Sequence, residues 1–363
     1  MTIRSLSGLS SARLKPLVVG MVCTLLTGVA YGFGNYMFPM VMPEMLKELG
    51  LNYTDAGIVT GLGQASPLFA IPITGYLTLR LGGLRLIVLL QLFGAALLAL
   101  LSFVNGFIGL IVVIFLLRTW PIMVWVPLVA IAAEHIGYQW RATMLTAASA
   151  GACFFVFIDG NLSSYFLEHH HWRGLWRTTA LICLANSIFC WASLKWVDCW
   201  SNHSVRQTGM KSPLPEVFIW IKTRSGTIIV LLFGVVGVAF VPFQVYLAPY
   251  LRDDLNVGLK MTSLVWSVMG ISGILGGVAM GMFTDRFGVK PALMIVFFMA
   301  ALSSVMICLP ITTWQLLTMA ILFGIGQAVI FGLGPTYISK VMPAESAATA
   351  NSAATMVLVS FAL

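Results

Sequence analysis

The chain has 363 residues, a formal net charge of +8, 59% hydrophobic residues and only 9% charged residues, with a mean hydropathy of +0.96. A soluble domain carries about 25% charged residues, so this composition excludes a water-soluble globular fold. Because the bilayer core offers the backbone no hydrogen-bond partners, only helices and closed barrels span it. The apolar runs are continuous and long enough for helices of roughly 20 residues. They do not alternate as barrel strands do, so the sequence predicts an all-α integral membrane protein.

Eleven apolar runs follow one another along the chain, interrupted once by a long polar segment. The first six lie at 17–42, 56–79, 84–104, 107–133, 142–167 and 176–196. The last five lie at 226–251, 261–283, 291–310, 314–338 and 347–363. We therefore predict a six-helix bundle over 1–197, a cytoplasmic connector over 198–222 and an incomplete second bundle over 223–363. Under a plan of six plus six helices, the end of the eleventh helix and the whole twelfth are expected to be missing.

The distribution of Lys and Arg predicts the orientation of the spans. With the N-terminus in the cytoplasm, fourteen of the 20 basic residues fall in inner segments, five fall in outer segments, and Arg118 lies within a span. This bias agrees with the positive-inside rule. The basic excess therefore faces the inner membrane surface, and no nucleic-acid partner is needed to explain it.

An internal repeat with an offset of 206 residues connects the two parts of the chain. The same residue types recur after the second and the eighth span, and again at the end of the first and the seventh. The matched pairs are Gly75 with Gly281, Arg80 with Arg286, Gly82 with Gly288, and Pro43 with Pro249. The repeat predicts two homologous halves.

The second copy of the repeat resembles the signature that the major facilitator superfamily carries between its helices 8 and 9, and the resemblance extends over essentially the whole chain. In that family the signature latches the cytoplasmic ends of helices and helps to switch conformation. The resemblance implies this latch role for Gly75, Arg80, Gly82, Arg85, Gly281, Asp285, Arg286, Gly288 and Lys290. In the first copy Leu79 replaces the usual Asp, so simple anchoring of the span by Arg80 and Arg85 is the alternative.

Arg118 is an ionisable residue about twelve positions into the fourth predicted span. A charge at this depth is costly and normally faces a wet cavity or a partner. The spacing between Arg118 and Pro127 partly resembles the helix-4 motif of the same family, although Pro121 and Ile122 here replace its usual Gln-Gly. In that family helix 4 lines the central cavity. We predict that Arg118 contacts the substrate. The alternative is a structural arginine bonded to carbonyls beside Pro121, which removes one intrahelical hydrogen bond.

Asp159 is the second ionisable residue within a predicted span. A carboxylate removed from water can pair with Arg118, bind a cation or take up a proton, which makes Asp159 the candidate for proton coupling. Two alternatives are that Asp159 reaches water at the outer surface, or that it caps a local break at Gly160.

Uncharged polar side chains lie on the spans that line the cavity in the family. The resemblance implies a substrate-binding role for Tyr31, Asn35, Gln244, Tyr246 and Gln327, with Gln64 as a weaker candidate. The alternative for each is a bond across a helix interface, worth on the order of 0.6 kcal/mol.

The sequence predicts neither a cofactor nor a metal. The adjacent histidines at 169–171 cannot all face one ion, and the six cysteines show no paired metal spacing. We find no phosphate loop and no nucleophile–base constellation, so an enzyme is not predicted, and active transport would draw on an ion or substrate gradient.

The sequence therefore predicts a secondary active transporter. We expect it to be a monomer in the lipid bilayer of a plasma membrane, namely a bacterial inner membrane. Its partner would be a small organic solute, anionic or carboxylate-bearing because of Arg118, moved by alternating access. A lipophilic-compound efflux pump is one alternative, although the fifth span lacks the Gly-Pro pattern of antiporters. A transporter-like sensor or assembly protein that binds ligand without moving it is the other.

Overall fold

The structure is a computed structural model that describes residues 3–136, 141–197, 199–200, 219–220, 222–310, 312–341 and 344–361. Throughout this part of the chain the regular secondary structure is helical. Most of the predicted connector at 198–222 lies outside the described residues, as do the side chains of Leu79 and Asp285.

The first six predicted spans are all helical. The first consists of α1 (Ile3–Tyr31), a π-helical segment (Gly32–Tyr36) and α2 (Met37–Leu49). The others are α3 (Tyr53–Leu81), α4 (Gly83–Leu101), α5 (Phe107–Trp125) with the short α6 (Leu128–His135), α7 (Arg141–Glu168) and α8 (Trp172–Trp196). The fourth span, predicted as one helix, turns at Val126 and Pro127, because a proline has no N–H to continue the helical ladder.

The last five predicted spans are helical as well. They are α9 (Arg224–Pro249) with a π-helical segment (Tyr250–Asp254), α10 (Leu259–Phe287), α11 (Val289–Ile307), α12 (Thr313–Val341) and α13 (Ala344–Phe361). Within the described residues, ten helices are long and apolar enough to cross a membrane. Large apolar side chains such as Trp314 and Met294 are at least three-quarters exposed on the outside of the bundle, as expected where lipid replaces water.

The two halves are pseudo-symmetric, and the 206-residue repeat extends to the helix boundaries. Adding 206 to the bounds of α3 and α4 gives those of α10 and α11. Gly82 and Gly288, which separate the helices of each pair, both have positive φ angles, of 79° and 92°. Gly50 and Asn256, also 206 positions apart, have φ angles of 66° and 51°. The predicted fold of two related helical halves is thus confirmed.

The halves meet mainly where α7 packs along α10. Small residues allow this close approach. A Cβ atom placed on Gly270 would lie 2.5 Å from the backbone nitrogen of Phe157, and one on Gly273 would lie 2.9 Å from Cys153 Sγ. Because small residues let helix backbones approach within a membrane, this seam holds the two halves together beside the central cavity.

Candidate functional site

A cavity of about 190 Å³ lies between the two halves. Helices of both halves line it, and its polar side chains come from α1, the π-helical segment that follows it, α3, α5, α7, α9, α12 and α13. The polar lining residues are Thr27, Tyr31, Asn35, Tyr36, Gln64, Arg118, Ser149, Gln244, Gln327 and Thr355. Of the lining side chains that the structure describes, Arg118 is the one that carries a formal charge at neutral pH. The cavity is therefore an apolar chamber with amide and hydroxyl groups around a single cation.

Arg118 projects from α5 into this cavity and is only 4% exposed. Its Nη1 donates a hydrogen bond to Asn35 Oδ1, whereas its Nε and Nη2 have no hydrogen-bond partner among the described residues. Gly63 on α3 makes room for the arginine stem, since a Cβ there would lie 3.2 Å from Arg118 Cγ. In the described part of the chain Arg118 makes no hydrogen bond to a carbonyl beside Pro121, because its one described bond goes to the side chain of Asn35.

Two neighbouring cavity residues, Asn35 and Tyr36, lie in the π-helical segment of the first span. Such a segment inserts one residue into a helical turn and is frequent at functional sites. Gln327, which belongs to the second half, lines the same cavity. Polar groups from both halves therefore border the space beside Arg118.

The structure brings most of the predicted uncharged residues into the cavity but leaves one out. Tyr31, Gln64, Gln244 and Gln327 line the cavity. Tyr246 does not, and its predicted role in the cavity is corrected here: its hydroxyl lies 3.1 Å from Thr60 Oγ1 on α3. Two residues further along a helix correspond to a rotation of about 200°, so Gln244 and Tyr246 cannot face the same way.

Tyr36 and Trp125 are cavity residues that the sequence interpretation missed. The Tyr31 ring packs against both, with ring centroids 6.4 Å from Tyr36 and 6.1 Å from Trp125. The adjacent Asn35 pointed to this part of the first span, but the π-helical geometry at Tyr36 cannot be recognised from the residue types.

Asp159 lies outside the cavity, and three of the readings weighed for it are wrong. It is completely buried, so it does not reach water at the outer surface. Neither carboxylate oxygen has a hydrogen-bond partner among the described residues, so it is not paired with Arg118. It also caps no break, because α7 continues through Gly160 to Glu168.

The glycines of the predicted latch fall into two groups. Gly82 and Gly288 end α3 and α10 with positive φ angles, which suit glycine. Gly75 and Gly281 belong to the predicted latch as well, but a Cβ on either would meet no atom of the described structure within 4 Å. No close helix contact therefore forms at these two positions in this conformation.

The basic residues of the predicted latch make local contacts. Arg85 donates from Nε and Nη2 to the Trp200 carbonyl oxygen, at 3.0 and 2.8 Å, which ties the start of α4 to the chain beyond α8. Arg80 and Arg286 each stack on an aromatic ring of their own helix, and Lys290 is exposed. The Arg85 contact is the one expected of an anchoring residue.

Polar pairs join the two halves toward the end of the bundle that the Lys and Arg distribution predicts to face outward, which we call the outer end. In each pair one partner belongs to the first six spans and the other to the last five. The pairs are Glu44 with Arg252, Tyr53 with Asp253, Thr60 with Tyr246, Asn161 with Ser267, and Glu168 with Lys260. The outer end is therefore closed in this structure.

A bundle of two pseudo-symmetric helical halves around a central cavity defines a class of membrane transport proteins. The sequence profile of the Major Facilitator Superfamily matches residues 24–362. The chain belongs to this superfamily and is a multi-pass membrane protein.

Solved structures of similar fold include two transporters. A variant of the nucleoside transporter NupG superposes with a TM-score of 0.72 at 15% identity, over 96% of this chain and 88% of that one. A bacterial homologue of the human lysosomal transporter Spinster, in an inward-facing and unoccupied conformation, gives a TM-score of 0.67 at 16% identity, over 97% of this chain and 80% of that one. At these identities the likeness shows the fold alone.

Among curated proteins, a D-xylose transporter from Levilactobacillus brevis is 28% identical over 106 residues. The alignment covers 28% of this chain and 22% of the length of that relative.

Proposed function

We propose that the chain is a secondary active transporter that moves a small organic solute by alternating access between its halves. The halves correspond to 1–197 and 223–363, joined by the connector at 198–222. The seam between α7 and α10 and the closed outer end support this reading, because a site between two related halves is the usual arrangement in such transporters. The N-terminus would be cytoplasmic in a bacterial plasma membrane, as the positive-inside bias supports.

The observation that carries the substrate proposal is the set of unused donors on Arg118. Among the described residues, its Nε and Nη2 are buried without a partner, and the cavity lining includes no acidic side chain to neutralise it. A guanidinium presents its donors as a planar fork that matches a carboxylate in a bidentate pair. The proposed substrate is therefore a small anionic solute that bears a carboxylate.

A neutral polar solute is the second candidate. Besides Asn35, which accepts a hydrogen bond from Arg118, the amide side chains of Gln64, Gln244 and Gln327 line the same cavity, and each offers both donors and acceptors to hydroxyl groups. The name of the curated relative, a D-xylose transporter, points in the same direction.

Counterflow in proteoliposomes tests both candidates. Purified protein would be reconstituted with radiolabelled lactate, gluconate and benzoate as anionic probes, and with xylose and uridine as neutral ones. Loss of two charge-assisted hydrogen bonds, each worth about 1.5–3 kcal/mol, predicts that Arg118→Ala lowers exchange of the anionic probe at least roughly 100-fold. Lys47→Ala, which removes an exposed basic residue at the outer end, should leave exchange unchanged.

Each outcome decides between the readings. If Arg118→Ala exchanges the anionic probe as fast as the parent protein, the proposal of an anionic substrate is rejected. If the parent protein exchanges only xylose or uridine, a neutral substrate is favoured. Binding of a probe without any exchange would indicate a sensor rather than a transporter.

A further inference from the structure

Asp159 lies on the face of α7 that lines the cavity, but beyond the end of the cavity. Ala152 and Val156 line the cavity, and Asp159 and Ser163 follow them at spacings of three and four residues. On a helix these four positions share one face. Because α7 runs toward the outer end, Asp159 lies between the cavity and the outer surface, in the closed part of the pathway.

The closed contact between α7 and α10 surrounds this position. At Gly160, the next residue, a Cβ would lie 2.4 Å from Ser267 Oγ and 2.7 Å from the Ser263 carbonyl oxygen. Asn161 Nδ2 donates to Ser267 Oγ at 3.2 Å. The burial of Asp159 therefore coincides with the place where the two halves are tightly joined.

The groups around Asp159 leave its carboxyl unpaired. Charged and titratable side chains on the outer parts of the elements packed against α7 are Tyr31, Tyr36, Glu44, Lys47, Glu48, Arg173, Arg177 and Lys260, with Cys153, Tyr165 and Glu168 on α7 itself. In the described part of the chain none of them hydrogen-bonds or ion-pairs with Asp159. The hydroxyls of Ser163 and Ser263 are also buried without partners there.

We propose that Asp159 is a proton-binding site and that the outer end closes only when its carboxyl is protonated. This inference rests on the alternating access proposed above. When α7 and α10 separate at the outer end, the pathway extends along the face of α7 and water reaches the carboxylate, which is stable there with its charge of −1. Closure removes that water, and because a buried unpaired charge is costly, a proton from the outer side binds to a carboxylate oxygen and gives a neutral acid. Its charge returns only when the proton leaves.

Infrared spectroscopy of the full chain in liposomes tests the protonation state without any substrate. At neutral pH the spectrum should contain the carbonyl stretch of a buried carboxylic acid that Asp159→Asn removes. The exposed Asp254→Asn is the matched control and should leave that band intact. A spectrum in which Asp159→Asn removes a carboxylate band instead would overturn the proposal. Because Asn resembles a neutral acid in shape, the variant should also keep the thermal stability of the parent protein.

A cross-link tests whether the outer end controls access to the site. A disulfide between Asn161→Cys and Ser267→Cys, which replace a contacting pair, should hold the outer end closed. In D₂O the isotope shift of the acid band should then appear at least tenfold more slowly, and reduction should restore the rate. The single variant Asn161→Cys is the control. Equal rates in the cross-linked and reduced protein would refute gating by this contact.

Transport separates this inference from the proposed function. In proteoliposomes Asp159→Asn should retain counterflow of the transported probe but lose its accumulation driven by a pH gradient. Accumulation that persists in Asp159→Asn, or that follows a sodium gradient instead, would overturn proton binding at this site. Failure of every probe to exchange in the parent protein would reject the proposed function, whereas the infrared and cross-link results would still decide the properties of Asp159.

Discussion

Glu44, near the end of α2, forms an ion pair with Arg252, in the π-helical segment after α9, and so joins the two halves at the outer end. The two side chains are 14% and 17% exposed. One oxygen of Glu44 and one terminal nitrogen of Arg252 have no hydrogen-bond partner among the described residues. A pair with this much burial is costly to break on one side, because the remaining charge is left without a partner.

Glu44→Gln should shift the protein toward an open outer end. The remaining Arg252 charge would be poorly solvated in the closed state, and a cost of about 2 kcal/mol would change the closed-to-open ratio roughly 30-fold. Spin labels at Lys47→Cys and Asp254→Cys would report the opening as a longer distance. The double exchange Glu44→Arg with Arg252→Glu should restore closure, and an unchanged distance in Glu44→Gln would show that the pair does not hold the outer end.

Gly160→Ala should also favour the open outer end, through packing rather than charge. A Cβ at this position would lie within 2.4–3.0 Å of three atoms of Ser263 and Ser267 on α10, so the two halves cannot close fully around it. Gly277→Ala on α10 is the matched control, because the nearest atom to its Cβ lies 4.0 Å away. The same spin-label distance measures both, and equal behaviour of the two variants would contradict the packing argument.

Gly63→Ala should weaken binding at Arg118 without removing its charge. The new methyl group would press on Arg118 Cγ at 3.2 Å and on Ile114 Cγ2 at 3.3 Å, which moves the guanidinium away from Asn35. Gly57→Ala, on the same helix, meets only the Tyr246 hydroxyl at 3.7 Å and should bind normally. Titration of the exchanged probe would show a several-fold higher half-saturation concentration for Gly63→Ala alone, and similar values for both variants would refute the role of Gly63.

The membrane-spanning helices and the equivalence of the two halves could be predicted from the sequence, because both depend on the order of residues along the chain. Apolar run length determines where a helix crosses the membrane. The repeat of Gly82 at Gly288 predicts equivalent helix ends, since both positions require the same unusual φ. The cavity could be predicted only in part. A span that is apolar on every side shows no polar face, so nothing in the sequence distinguishes Gln244, which faces the cavity, from Tyr246, which does not.

Asp159 shows a different limit of sequence interpretation. The depth of Asp159 in the membrane follows from its position in the span. The absence of a partner for its carboxyl among the described residues does not, because it depends on where the side chains of the elements packed against α7 point. The π-helical segment likewise adds one residue to a helical turn and so changes the direction in which the Tyr36 side chain points. Both features depend on packing between distant segments, which local residue patterns do not encode.

Tyr36→Phe should weaken the link between the two walls of the cavity. The variant keeps the ring but removes a hydroxyl that lines the cavity together with the side chains of Asn35 and Gln327, and one hydrogen bond of such a group contributes about 1 kcal/mol. We expect roughly fivefold weaker probe binding for Tyr36→Phe, a similar effect for Gln327→Leu, and little further loss in the double variant. Tyr250→Phe, at the outer end, is the control. Fully additive losses in the double-mutant cycle would show that the two residues act independently.

Gly288→Ala should destabilise the protein through backbone strain alone. The residue has a φ angle of 92°, and no described atom lies within 4 Å of an added Cβ, so steric contact contributes nothing. With its ψ of 168°, Gly288 lies in a region of backbone space that is essentially restricted to glycine, and an alanine there costs about 1–3 kcal/mol, which should lower the midpoint of thermal unfolding in detergent. Gly281→Ala, equally free of contacts but in the regular part of α10, should instead be neutral or slightly stabilising, because alanine favours helix more than glycine does. Equal stability of the two variants would mean that the turn between α10 and α11 does not require glycine.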